Sequence, residues 1–364
     1  MSSYYIGTRG QRTRKKKQRK LMRRLFLCLF FFLVLPLSAA TFLIYHTCFR
    51  PNVWVAEGAV RSVCIPTDAT FQDVKTLLYG QGLIVNRKTF ECYARFRHYD
   101  RHIKPGRYIL LPGMSNNGLV HMLNSGEQTP VKVIIHDIRD KATLAQSVAR
   151  QIEADSASLM DLMEDTSFLA SFGFTPGNVL MRIIPNTYEF YWNTGATRFF
   201  ERMYREYNQF WNEDRMKKLE ATGLTREQVI ILASIVEKET NRDDEKPRIA
   251  GVYLNRLRRG WLLQTDPTLV YALGDPSVHR VLNTYKDIDS PYNTYRYGGL
   301  PPGPICVPSI VSIDAVLNYE RNDYLYFCGR DDFSGYHVFS SRYLQHALNA
   351  RRYQKALDRL DIKK

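Results

Sequence analysis

One carboxyl group in this chain is placed where it could donate a proton. Residues 229–236, Val-Ile-Ile-Leu-Ala-Ser-Ile-Val, are apolar almost without interruption and deliver Glu237-Lys238-Glu239-Thr240. Just upstream, Thr225-Arg226-Glu227-Gln228 fits a capping box, in which a threonine hydroxyl and a glutamine amide satisfy backbone donors at a helix start. A helix that is apolar all round runs through a core and not over a surface. A carboxylic acid that works as a donor near neutral pH needs a raised pKa, which burial supplies by disfavouring the charged form. Glu237 adjoins the apolar run, so its pKa is expected to be lifted. Glu239, about 200° further round the helix, cannot share that environment. Residue type alone does not decide the matter, because a glutamate at a helix end is more often simply solvated.

The residues downstream offer possible ligand contacts, each with a structural alternative. A helix is expected from about Lys246 to Arg259, with Pro247 in its first turn and Gly260 as terminator. After Trp261-Leu262-Leu263-Gln264-Thr265, Asp266 is placed to cap a helix that has Pro267 as its first residue and ends at Gly274. The loops Ser290-Pro291-Tyr292-Asn293-Thr294-Tyr295 and Gly299 to Ile305 are polar, aromatic and stiff. Tyrosine and asparagine suit sugars, with a flat apolar face and directional hydrogen bonds. Packing of the loops on their own tyrosines is the alternative. Two runs, Tyr324 to Cys328 and Tyr336 to Phe339, form a hairpin pattern, followed by an amphipathic helix from Ser341 to Leu360. His337 reads as a satisfied structural histidine and His346 as a solvent-facing one. No spacing of Cys or His suggests a metal, and no cofactor is implied.

The elements that must position these groups follow an unusual start. Ten of the fifteen excess positive charges lie in residues 1–24, which contain no acid. Immediately after them, residues 25–45 carry no charge and would span roughly 30 Å as a helix, the thickness of a bilayer core. Ser38-Ala39-Ala40 resembles a signal-peptide cleavage site, but hydrophobicity resumes at Thr41 to Ile44, which favours an uncleaved anchor. The positive-inside rule then places residues 1–24 in the cytoplasm and everything beyond residue 46 outside. The basic tail thus serves as a topology signal. It is not a nucleic-acid footprint, since no stacking platform or groove-reading motif accompanies it. Cys64, Cys92, Cys306 and Cys328 are too sparse for a disulfide scaffold and read as small buried thiols, with a Cys306–Cys328 bridge as the alternative.

The exported part reads as α+β in two pieces. Residues 46–128 form a small module with strands at Val53 to Val55, Val63 to Ile65 and Arg107 to Leu111, and with helices opening at Thr70, Asn86 and Ser115. The junction falls near Asn124 to Pro130. Residues 129–364 form a larger mixed α+β domain. It opens with the strand Val131 to Ile135 and includes a long charged helix over 196–220.

Taken together, five ordered stretches closely resemble the endolytic murein transglycosylase family (MltG, YceG-like): Ala233 to Thr240, Ile249 to Leu257, Leu263 to Thr268, Ser290 to Tyr295 and Gly299 to Ile305. The resemblance runs from the anchor to the last helix and is weakest over 52–126, which resembles that family's LysM-like subdomain. The chain departs from the pattern at Cys306-Val307-Pro308-Ser309, where the family tends to end in Pro-Gly. It also lacks the usual acid and amide beside His346.

The resemblance implies a lyase of the inner membrane or cell membrane that cuts peptidoglycan glycan strands. Glu237 would protonate the oxygen between N-acetylmuramic acid and N-acetylglucosamine. It would then act as base while the muramyl primary hydroxyl closes an anhydro ring. By family position, Gln264, Asp266, Tyr292, Asn293 and Tyr295 would line the glycan cleft. The implied partners are peptidoglycan strands and the membrane, with peptidoglycan synthases as candidates and no nucleic acid. Two rivals stand beside this reading: a muramidase using Glu239, Asp243 or Glu245 as a second carboxylate, and a membrane-anchored glycan-binding scaffold.

Overall fold

In the computed structural model, residues 9–56, 58–275, 278 and 283–359 are described. The first eight residues of the expected tail, and Leu360 at the expected end of the last helix, lie outside them. The fold is mixed α+β, and the chain divides into two compact units, Met1–Thr129 and Pro130–Lys364.

The first unit begins with one continuous helical run. It comprises an α-helix Arg9–Leu29, a π-helical turn Phe30–Val34, an α-helix Leu35–Ile44 and a second π-helical turn Tyr45–Phe49. Pro36 accounts for the first change of register. It has no N–H to continue the α ladder and its ring crowds the carbonyl one turn back, so the preceding turn widens. The stretch Lys16–Phe49 is long and apolar enough to cross a membrane, and the expected span 25–45 lies inside it.

Beyond it, β1 (Arg61–Ile65) pairs antiparallel with β2 (Gly106–Leu110), with Val63 opposite Tyr108. Helices Phe71–Gly80 and Arg87–Phe96 lie between these strands, and Asn116–Ser125 follows them. Thr70 and Asp73 close a capping box, and Asn86 and Ser115 cap the other two helices. The core gathers Ile65, Val74, Leu78, Phe90, Tyr108 and Leu119. Buried Asn116 donates to the Thr47 carbonyl (2.8 Å) and accepts from Asn52 (2.7 Å), so this module is bonded to the end of the long helix. The strand expected at Val53 to Val55 is reduced to a single bridge, Val53 to Ile84. Its would-be partner turns at once into the Asn86 cap, leaving no length for a ladder.

In the second unit, β3 (Val131–Ile134) pairs with β4 (Thr187–Phe190) and β5 (Tyr326–Gly329) with β6 (His337–Ser340), both antiparallel. One core forms around Val133, Leu144, Met163, Phe199 and Phe200. A second forms around the helix Arg226–Glu239, whose residues Val229 to Val236 are all buried. The single long helix expected over 196–220 is two, Ala196–Phe210 and Glu213–Thr222. Asn212 explains the break: its side chain caps the second helix by accepting from the Arg215 N–H, which competes with continuing the first. A helix that the sequence reading did not identify, Ile310–Leu317, is capped by Ser309.

Gly251 allows the helix Lys246–Arg258 to meet the loop after Ile310–Leu317. A Cβ there would stand 2.4 Å from the Glu320 carbonyl oxygen. That approach is fastened by the Glu320 N–H on the Pro247 carbonyl (2.9 Å) and by Arg248 on the Glu320 carboxylate (2.9 Å).

Candidate active site

The capping box at the start of the buried helix forms as the sequence indicates, with Thr225 and Gln228 bonding reciprocally. At the other end of the helix, Glu237 emerges half-buried. Its Oε2 accepts from Ser309 Oγ (2.5 Å), from Ser312 Oγ, and from the ammonium of Lys246 (3.4 Å). Oε1 receives no hydrogen bond among the described residues. The carboxylate is therefore anchored through one oxygen and presents the other.

Two local features deliver the serines. Ser234, fully buried on the same helix, accepts the Ile305 N–H through its hydroxyl (3.0 Å). The Val307 N–H bonds to the Ile138 carbonyl (2.7 Å). The stiff loop Gly303 to Pro308 is thus pinned on both sides, and Ser309 opens its helix directly against Glu237.

Burial raises the pKa of Glu237, but the two serine hydroxyls and Lys246 together outweigh it, so the group lies below the ordinary glutamate value. The expected upward shift is therefore corrected. Burial was the only influence visible in the sequence, whereas the three donors come from segments distant in the chain. The carboxyl whose pKa is raised is Glu239, through burial. It accepts from Thr265 Oγ1 (2.5 Å) and Tyr253 OH (2.6 Å) and keeps to a separate polar cluster.

The other carboxylates considered as partners have their own attachments. Glu245 is buried and holds His337 through its backbone N–H and Nδ1 (2.9 Å each), which makes His337 a satisfied structural residue. Asp243, largely exposed, binds Lys246 at 2.8 Å, so Asp243 and Glu237 share one ammonium.

Glu237 opens into a cavity of about 390 Å³. His136, Asp137, Lys238 and Asn241 line it, as do Cys306, Val307 and Ser309. Sequence reasoning identified none of these besides Glu237 as site residues. Ser309 and Ser312 showed only a helix-cap pattern, and no local signal connects residues 136–137 to 237.

None of the five residues expected to line a glycan cleft is among those lining the cavity at Glu237; Asp266 and Tyr295 lie on the Glu239 side of the helix end. The Gln264 N–H bonds to the Thr294 carbonyl (3.0 Å) and the Thr265 N–H to Thr294 Oγ1 (3.1 Å), tying the two segments together. Gln264 is exposed and holds a left-handed backbone, φ 51°. Asp266 is not the helix cap. It is the first helical residue after Thr265, and its carboxylate accepts from Tyr295 OH (2.5 Å). Tyr292 is half-buried against Tyr271.

Asn293 is fully buried. Its amide donates to the Lys286 and Ile288 carbonyls (2.8 Å each) and accepts from the Tyr295 N–H (3.0 Å). These bonds make Asn293 the residue that shapes the loop. His346 likewise departs from expectation: it is half-buried and stacked on Tyr326 (5.1 Å), and burial lowers its pKa. The cysteines are unpaired, and of those expected to be buried only Cys306 is, whereas Cys92 is exposed. No cluster of metal ligands occurs among the described residues.

Fold and site together describe a mixed α+β protein with one N-terminal apolar helix and an anchored carboxylate, Glu237, that opens into a cavity at the end of a core helix. Residues 63–352 match the model of the YceG-like family, and the chain belongs to that family. It is 26% identical over 303 residues to the endolytic murein transglycosylase of Bacillus subtilis, covering 78% of this chain and 82% of the relative. It is 28% identical over 298 residues to the enzyme of the same name from Streptococcus pneumoniae, covering 73% of this chain and 53% of that one. The chain thus spans about half the length of the pneumococcal relative. The crystal structure of a YceG-like protein from Listeria monocytogenes matches with a TM-score of 0.54 at 28% identity, over 79% of this chain and 98% of that one.

Proposed function

We propose that this protein is an endolytic lytic transglycosylase that cuts the bond between N-acetylmuramic acid and N-acetylglucosamine in nascent peptidoglycan strands and so ends their growth. The observation that carries the reading is the placement of Glu237. It is a carboxylate fixed through Oε2, with Oε1 unbonded among the described residues, at the mouth of a cavity and at the end of a buried helix; the other carboxylate lining that cavity, Asp137, is paired with Lys238. Protonated on Oε1, Glu237 gives its proton to the glycosidic oxygen as the bond to the muramyl anomeric carbon breaks. The carboxylate then takes the proton of the muramyl primary hydroxyl as that oxygen bonds to the same carbon. The ring closes to an anhydro sugar, no water enters the products, and Glu237 ends as it began, so one carboxyl group suffices for both halves.

Gln264 and Asp266, together with Tyr292 and Tyr295 on the adjoining loop that Asn293 shapes, supply further glycan contacts beside this centre. The apolar helix anchors the protein as a single-pass component of the cell membrane or inner membrane, with the basic tail in the cytoplasm and the rest outside. The strand–helix–helix–strand core of residues 61–110 supports a LysM-like glycan-binding role for the small module. A peptidoglycan synthase acting on the same strand is the partner this position suits.

Mass spectrometry of fragments released from purified peptidoglycan tests the reading. Anhydro-muramyl ends are expected from the native chain, with a loss of at least about 10²-fold for Glu237→Gln, the usual contribution of a general acid. Reducing ends would instead assign a muramidase. The shared ammonium makes Asp243 its second carboxylate, and Asp243→Asn would then abolish cleavage. Release that is unaffected by Glu237→Gln would sink both enzymatic readings and leave the scaffold.

A further inference from the structure

We infer that His136, Lys238 and Asn241 form a subsite, next to the acid, for a muramyl residue that carries its peptide arm. This rests on the transglycosylase reading and adds which side chains recognise the substrate. All three line the cavity that Glu237 opens into. The nearest polar groups, Ser309, Ser312 and Lys246, are already committed to Glu237 Oε2 and have little left to offer a ligand.

His136 and Asn241 are in the opposite situation. Both are exposed, and among the described residues neither side chain makes a hydrogen bond to the protein. Water satisfies them in the free protein, and a ligand with matching groups can replace that water. Lys238 is paired with Asp137 at 3.1 Å, but the two side chains are 43% and 78% exposed. A pair so open to solvent contributes little, so a ligand carboxylate can compete for the ammonium. Asp137 itself holds a left-handed backbone, φ 50°. Such conformations cluster at binding sites, where the surrounding structure enforces them.

The donor set matches one component of peptidoglycan better than the other. Both sugars carry an acetamido group, which offers one N–H and one carbonyl, and an asparagine amide answers both. Only the muramyl sugar carries a lactyl ether continuing into a peptide, with further amides and free carboxylates. Lys238 answers a carboxylate by a charge-assisted bond. A cavity of about 390 Å³ lies toward the lower end of the ~300–1,000 Å³ usual for small-ligand sites, room for one substituted sugar and not for several. A metal cation suits the place less well, since both carboxylates lining it are already paired with lysines.

The test uses the full-length chain in detergent with Glu237→Gln to prevent turnover. Calorimetric affinities are compared for two disaccharides of N-acetylglucosamine and N-acetylmuramic acid, one bearing a tetrapeptide and one with its lactyl carboxyl capped as a simple amide. The peptide-bearing ligand should bind more tightly. His136→Ala and Asn241→Ala should each weaken both ligands, up to about tenfold for a lost hydrogen bond. Lys238→Met should weaken only the peptide-bearing ligand and erase the preference, and Lys238→Arg should restore it.

Equal affinity for the two ligands, unchanged affinities in the three variants, or no binding of either ligand would each overturn the subsite. Cleavage by the chain with Glu237 intact is measured separately. A lack of anhydro products there counts against the transglycosylase reading alone, while the affinities still decide whether the subsite exists.

Discussion

Three donors converge on one oxygen of Glu237, and that arrangement sets what the residue can do before substrate arrives. They favour the ionised form, so the acid step of the proposed mechanism needs conditions or a ligand that return a proton. Because kcat/KM reports the free enzyme, it should rise as pH falls through the neutral range toward the depressed pKa of Glu237. Ser312→Ala removes one stabilising donor, so its profile should lie at higher pH than that of the native chain. Coincident profiles would show that Ser312 does not govern the protonation that matters.

The same bonds carry a stability term. A carboxyl whose folded pKa is depressed contributes stability above its unfolded value, and this is lost as pH falls through the folded one. Ser312→Ala should therefore lower the denaturation midpoint at pH 7 by more than at pH 3, which urea titrations at the two values would measure. Lys246→Met acts in the same direction on the activity profile. It also leaves Asp243 and Glu237 without the cation they share, so kcat should fall as well.

At the scale of the elements, the acid-bearing helix was largely legible, because its signals are local: the Thr225–Gln228 box and an unbroken apolar run. The turn into the helix Lys246–Arg258, the closing hairpin and the capped helices of the small module were legible for the same reason. What could not be read depends on contacts between distant segments. Ser309 and Ser312 reach Glu237 across more than seventy residues. His136 and Asp137 join its cavity from just beyond the opening strand, and nothing in their own surroundings marks them.

Asp266 shows the converse, in which a cap-type residue is read from its neighbours but its use is settled by a distant partner, Tyr295. Gly251 is an element-scale position of this kind. Its missing side chain lets two backbones meet, and Gly251→Ala would drive a Cβ to 2.4 Å from the Glu320 carbonyl. Separating them would strain the attachment of the helix Ile310–Leu317 that carries the serines. A loss of about 1–3 kcal/mol in urea unfolding is expected, with kcat reduced along with it. Native stability in that variant would mean that the loop moves freely and does not brace the site.

For the molecule as a whole, function depends on which side of the membrane the two units occupy, because glycan strands exist only outside. The sequence places all ten charges of the tail before the apolar stretch, and in a chain that spans a membrane such a bias favours the cytoplasm for that end. Two native cysteines make this measurable. Cys28 lies within the apolar helix, whereas Cys92 is exposed on the small module that is bonded to the end of that helix. If the module lies outside, a membrane-impermeant maleimide should label Cys92 in cells whose inner membrane is intact. The part of the label absent from Cys92→Ser identifies that site, and Cys28 should stay unlabelled until the membrane is dissolved. Labelling of Cys92 only after the inner membrane is breached would place the catalytic unit in the cytoplasm, beyond the reach of peptidoglycan. The transglycosylase proposal would then fail whatever the chemistry of Glu237.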